Sequence, residues 1–397
     1  TEADYIVIAI ASIQAVNEVY MQLKGKGISD EKIISTLMRT QEDYKKPAAK
    51  IEKECRLHIL LWLGGGFGDC VVYLSAYKRI TDAVSDVVID IQCPKVSYGE
   101  ALYRNKKWIG NIYDYNAEKQ KEDYDLVLFL ELGIKVLKYD EERCKRLAPD
   151  LNRIVQMLLE TAEDMRNDIN DSQARFAVQT RMAITRGWNR YFMLGHGNVL
   201  RLSSDMVKIE MREEYKNEYD SLHLQKFITL NRGADKWPAD DKKTQVKVWP
   251  LEYYEQLIIL LKCKLPEYEI VQLGGNETEE IKGVDRYIRG QSLELVKYIL
   301  KNSALHFDCE GGLVHLATAL GTKCAVVFGP TSMEYYGYPQ NINITAGKCH
   351  NCLHLIKDWY VKCLKGQKEP ECMYGITPEM VYDKISEYLR RPENNII

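Results

Sequence analysis

The chain has 397 residues, with 54 Lys and Arg against 57 Asp and Glu for a net charge of −3, and 46% of its residues are hydrophobic. That length supports two domains rather than one, and the near-neutral charge argues against the strongly basic surface of a dedicated nucleic-acid binder. No window holds eighteen consecutive apolar residues, so no transmembrane segment is expected.

The first stretch lacks the basic region and small-residue cleavage site of a secretory signal. Residues 1 to about 50 read as two helices, the first ended by Gly25 and Gly27 and the second opened by Ser29 as N-cap. They are expected to pack or to support oligomerisation. From Leu57 the pattern changes: "LHILLWL" is a short apolar run, followed by "GGGFGD" and then by the helical spacing of "CVVYLSAYKRITDAV". Further strand-like runs follow at "DVVIDIQC", "NIYDY" and "DYDLVLFLEL". Strands alternating with helices predict a parallel sheet covered on both faces.

Residues 140 to 220 read as polar and helical, with one island, "RGWNRYFMLGHGN" (Arg186 to Asn198), whose aromatic residues, glycines and His196 fit either a cleft lining or a packed loop. The alternation then restarts. "KFITLNRG", "YEIVQLGG", "ALHFD" and "KCAVVFG" read as buried strands separated by helices such as "PLEYYEQLIILLKCKL" and "SLELVKYILKN". Two successive units of this kind predict two Rossmann-like domains with ligand binding in the cleft between them, at the carboxyl ends of the strands.

Three places carry chemistry. "GGGFGDC" (Gly64 to Cys70) is a strand–turn–helix junction whose spacing departs from G-x-G-x-x-G. Asp69 stands there beside a helix N-terminus, where backbone N–H groups favour a carboxylate; from the residues alone it reads as a cap. "KVWP" places Lys247 just ahead of a helix opened by Pro250, and "HFDCEGGLVHLATALGT" (His306 to Thr322) is strand, Gly-rich turn, helix. A turn of Glu310, Gly311 and Gly312 can bring backbone N–H groups close to a phosphate. It equally fits a plain tight turn, and the upstream lysine favours phosphate.

In order along the chain, "GFGDCVVYLSAYKRI", K-x-W-P at Lys247, "LGGNE" (Leu273 to Glu277), "EGGLVHLATALGT" and "VVFGPTS" (Val326 to Ser332) resemble the heptosyltransferase group of glycosyltransferases, family 9, with the two-domain GT-B fold. The resemblance implies a nucleotide-diphosphate-sugar donor, typically ADP-heptose, and no catalytic divalent cation. It makes Asp69 the catalytic base, Lys247 the cation on the donor phosphate, Glu277 an acid reaching the ribose, and Glu310, Gly311, Gly312, Leu313 and His315 the phosphate-binding turn. Where the family has Asp-Ser/Thr-Gly this chain has Glu310-Gly311-Gly312, which leaves the backbone rather than a hydroxyl as donor.

Seven of the eleven cysteines are scattered singly, mostly in apolar runs, as in a reducing, cytoplasmic protein. The other four cluster: Cys349 and Cys352 form a C-x2-C knuckle, Cys363 follows after ten residues and Cys372 after eight more. Four thiolates so spaced can enclose one tetrahedral zinc or iron ion, with two disulfides as the alternative that a reducing compartment disfavours. The stretch resembles the iron-binding finger of the autotransporter heptosyltransferase subfamily, which modifies serines of bacterial surface proteins and assembles into rings; by that resemblance the metal is iron.

The expected protein is thus an α/β GT-B glycosyltransferase with a helical extension (1–55), an N-terminal acceptor domain (56–224), a C-terminal nucleotide-sugar domain (225–375) that includes the finger (347–374), and a last helix (376–397) that crosses back. Its partners are a nucleotide-sugar donor and a protein or glycan acceptor, with a homo-oligomer left open. The alternatives are a heptosyltransferase of the lipopolysaccharide core, a nucleotide-sugar epimerase and a non-catalytic nucleotide-sugar-binding protein.

Overall fold

The structure, a computed structural model, describes residues 6–8, 19, 22–28, 33–35, 56–117, 121–232, 246–276 and 278–391. Strand β1 (Ile6–Ile8) pairs in parallel with β2 (Ile33–Ser35). Both lie where helices were expected. Five of their six residues are β-branched, a type that suits a pleated surface better than a helix turn. Residues 22–25 are helical and Gly27 takes φ 78°, as the glycine stop predicts. Ser29 and the rest of the extension lie outside the described residues.

Two sheets organise the remainder. The first has the order β5-β4-β3-β6-β7, built from β3 (Leu57–Leu63), β4 (Val87–Gln92), β5 (Ile109–Tyr113), β6 (Leu126–Leu130) and β7 (Ile134–Tyr139). Its first four strands run parallel, while β7 is antiparallel to β6 and forms an edge. The all-parallel expectation therefore fails at β7. A short Gly133 turn joins β6 to β7, and a hairpin is the connection such a turn allows.

The second sheet is fully parallel with the order β10-β9-β8-β11-β12-β13. Its strands are β8 (Phe227–Asn231), β9 (Glu269–Gly274), β10 (Arg286–Arg289), β11 (Leu305–Cys309), β12 (Cys324–Phe328) and β13 (Ile342–Thr345). Strands β11 and β12 are buried along their whole length, which explains their uninterrupted apolar character.

Strand order reverses direction at β3 in the first sheet and between β8 and β11 in the second. The Gly64–Asp69 turn leaves β3 and the Glu310–Gly312 turn leaves β11, so both candidate motifs sit at topological switch points, where α/β sheets bind ligands. One apolar core runs from the first sheet into the second unit and includes Leu61, Cys70, Leu273 and Val314. The buried Lys297 ammonium adds a polar tie, donating to the carbonyls of Ala101 and Glu210 and to Glu294. The last helix, Pro378–Leu389, does not cross back: Val381, Ile385 and Leu389 join the core of the second unit, against the helix Leu251–Lys264. Among the described residues no helix is long and apolar enough to cross a membrane.

Candidate active site

Each functional side chain is set by local chemistry. Gly65 takes φ 78°, and a Cβ there would stand 2.3 Å from Asp69 Oδ2, so the turn after β3 accepts only glycine. That turn delivers Asp69 to the first turn of the helix Phe67–Val72, where Oδ2 accepts the Gly66 N–H at 3.0 Å. Capping is therefore real, yet it uses one oxygen only. The other, Oδ1, accepts from Arg190 Nη2 at 3.1 Å.

Two residues after Lys247 the chain is anchored by Trp249, a fully buried ring whose Nε1 donates to Ile376 O and which packs edge-to-face with Tyr254 and Phe307. Lys247 Nζ lies 3.1 Å from Glu310 Oε2, and Glu310 Oε1 lies 3.5 Å from His315 Nε2. Burial alone would raise the Glu310 carboxyl, but the charge of Lys247 and the hydrogen bond of His315 bring it down to about 2. In the same way burial would lower the Lys247 ammonium, and the Glu310 carboxylate raises it overall. The expected donor-binding lysine and turn thus form one charged cluster of Lys247, Glu310 and His315.

The two motifs meet. A Cβ on Gly68 would lie 2.6 Å from His315 Cδ2 and 3.1 Å from Gly312 Cα; one on Gly312 would lie 3.0 Å from Phe67 Cδ1 and 3.2 Å from Gly68 N. The N-termini of helices Phe67–Val72 and Gly312–Ala319 therefore touch through glycines. Gly312 is needed for this contact, whereas Gly311, extended at φ −176°, has ordinary room for a Cβ. Leu313 packs partly buried against the apolar core.

A hydrogen-bonded chain crosses the same junction: Tyr191 hydroxyl to Tyr338 hydroxyl at 3.0 Å, and Tyr338 hydroxyl to His315 Nδ1 at 2.6 Å. Sequence reasoning missed Arg190, Tyr191 and Tyr338. The first two lie inside the "RGWNRYFMLGHGN" island, where attention fell on His196. That histidine is buried against the backbone of Ile134, the Thr161 hydroxyl and Asn167, and burial lowers it to about 4. It supports the loop rather than lining the cleft.

Glu277 lies outside the described residues. Burial pushes the Cys372 thiol up to about 12, with smaller contributions from Cys349, Cys352 and Cys363. All four are free thiols. Among the described residues no group of three His, Cys, Asp or Glu side chains is placed to hold a metal ion, so the metal-binding arrangement expected of the finger is not formed there.

Comparison with known proteins fits this geometry. Residues 206–367 match the sequence profile of "Glycosyltransferase family 9 (heptosyltransferase)". No curated protein sequence matches the chain. Among solved structures, the fold is similar to the ADP-heptose lipopolysaccharide heptosyltransferase II of E. coli, with TM-score 0.52, 16% identity, 85% of this chain and 100% of that one covered. It is also similar to the iron-containing dodecameric glycosyltransferase TibC of enterotoxigenic E. coli, with TM-score 0.53, 12% identity and coverage of 84% and 76%. A second TibC structure, in complex with ADP-D-β-D-heptose, gives TM-score 0.52 at 12% identity, with 85% and 77% covered. The chain therefore has the two-domain fold of these enzymes, carries a glycosyltransferase family 9 domain over residues 206–367, and is a glycosyltransferase.

Proposed function

We propose that the protein is an inverting glycosyltransferase that moves a heptose or related sugar from ADP-heptose to an acceptor hydroxyl, using Asp69 as general base and no catalytic divalent cation. The observation that carries this reading is the juxtaposition of Asp69 with the Lys247–Glu310–His315 cluster across the Gly68–Gly312 contact. An acceptor hydroxyl is a poor nucleophile at neutral pH, so a carboxylate takes its proton as the bond to the anomeric carbon forms. The departing diphosphate gathers negative charge. Lys247 and the backbone N–H groups of Gly311, Gly312 and Leu313 receive it at the start of the helix Gly312–Ala319. Glu310 gives way to the diphosphate as partner of Lys247, and His315 steadies the turn through Tyr338.

The acceptor is a serine hydroxyl of a bacterial surface protein, modified in the cytoplasm; single free cysteines buried in both units support a reducing compartment. Cys349, Cys352, Cys363 and Cys372 hold one structural metal ion, iron by analogy with TibC. By number and softness four thiols are a complete donor set for one tetrahedral ion with no position left for substrate, and holding it requires them to draw closer than their arrangement among the described residues. TibC is dodecameric, and a homo-oligomer is the corresponding reading here. The test is a panel of nucleotide sugars followed by ADP or UDP release and by melting temperature. ADP-heptose is expected to stabilise by about 2.7 kcal/mol at a hundred times its dissociation constant and to release ADP only when a serine-bearing acceptor is present. Conversion of the donor sugar without acceptor would make the protein an epimerase, and binding without either reaction a binding protein.

A further inference from the structure

Arg190 lies 121 positions from Asp69 in the chain and is 2% exposed, while the Asp69 side chain it pairs with is 32% exposed. The cation is thus the buried member of the pair and the carboxylate the solvent-accessible one. Its guanidinium is itself fixed. Nη1 donates to Leu132 O at 2.9 Å, and Nη2 donates to Glu131 O and reaches the Tyr73 hydroxyl at 3.3 Å, with the Tyr73 ring 5.5 Å away. Three segments therefore converge on the Asp69–Arg190 pair: the turn after β3, the loop after β6, and the short helix Arg190–Leu194.

Stability is a poor reason for such a pair, since replacing a buried ion pair with apolar residues is often neutral or better. Orientation is a sufficient one. An aspartate's terminal torsion is broad and two-fold, and the Gly66 N–H holds only Oδ2. A second donor on Oδ1 stops rotation and leaves the exposed carboxylate with its remaining lone pairs at fixed positions to take a proton. The next residue on the same helix, Tyr191, reaches Tyr338 and through it His315, so the element that sets the base is tied to the donor turn.

We infer that Arg190 is a positioning residue for the base: it acts on transfer through Asp69 and not through donor binding. This rests on Asp69 being the base. Arg190→Met, Asp69→Asn and the double variant are compared for turnover, as ADP release from ADP-heptose with a serine-bearing acceptor, and for ADP affinity. Misplacing a reacting group by about 1 Å can cost 10²-fold, so Arg190→Met is expected to lose about that much kcat while its ADP affinity stays within about twofold. In the Asp69→Asn background the same substitution is expected to change nothing further, which is the non-additivity of residues acting as one unit. An equal loss in both backgrounds, or none in either, overturns the proposal. Parental turnover by Asp69→Asn itself removes the base and this inference with it, an outcome distinct from the other two. If Arg190→Met does not fold, Arg190→Lys, which keeps the charge without the fork, is read in both backgrounds by the same criteria.

Discussion

Lys247→Met removes an ammonium 3.1 Å from Glu310 in a pair whose side chains are 18% and 9% exposed. The charge of Lys247 and the contact with His315 outweigh burial and hold Glu310 at about 2 against its ordinary 4.5, so net of burial the carboxylate form is favoured by on the order of 3 kcal/mol. Because the folded carboxyl titrates below its unfolded value, that stability is complete above about pH 4.5 and is lost as pH falls toward 2. The lysine is raised instead, so its share is complete below its unfolded value near 10.4 and lost above it. Between those limits the variant is expected to be less stable by a constant amount, about 3 kcal/mol as for a buried pair that loses one partner, with the gap narrowing toward pH 3. Urea unfolding at pH 7 and pH 3 measures it. The same variant also lacks the cation that meets the diphosphate, and a charge-assisted contact of about 1.5–3 kcal/mol implies ADP affinity at least tenfold weaker. Parental ADP affinity by calorimetry, or a stability gap equal at both pH values, would refute the reasoning.

Gly68→Ala places a methyl group 2.6 Å from His315 and 3.1 Å from Gly312, so it is expected to part the two helix N-termini, enlarge the radius of gyration in solution scattering and lower turnover. Gly66→Ala, with nothing within 4 Å, is the control and should keep near-parental turnover. Cys352→Ser is expected to lose the stoichiometric metal that elemental analysis finds in the parent; a parent free of iron and zinc, or full metal content in the variant, would contradict the finger.

Much of this site is visible in the sequence, and the reason is local. β3 and β11 are apolar runs broken by Gly and an acid, so the turns that deliver Asp69 and Glu310 announce themselves at the carboxyl ends of strands. What the sequence hides is pairing at a distance. Lys247 and Glu310 were both expected at the donor, but nothing in a separation of 63 residues says that they pair with each other. Arg190 was inside a noted island and still escaped, because its partner is set by how the loop after β6 folds over the turn after β3. Strand β7 escaped for another reason: "IKVLKY" is a half-exposed edge whose lysines interrupt its apolar positions, and only its hairpin with β6 makes it a strand. In the N-terminal extension, helical spacing misled where short β-branched runs found each other.

The central claim, that Asp69 takes the acceptor proton, is tested most directly by measuring turnover and ADP affinity of Asp69→Asn side by side. Asparagine caps a helix nearly as well as aspartate, so folding and the Gly66 contact should survive. The account predicts a loss of about 10²- to 10⁴-fold in turnover with ADP affinity unchanged; near-parental turnover would mean that Asp69 only caps its helix and that the base lies elsewhere.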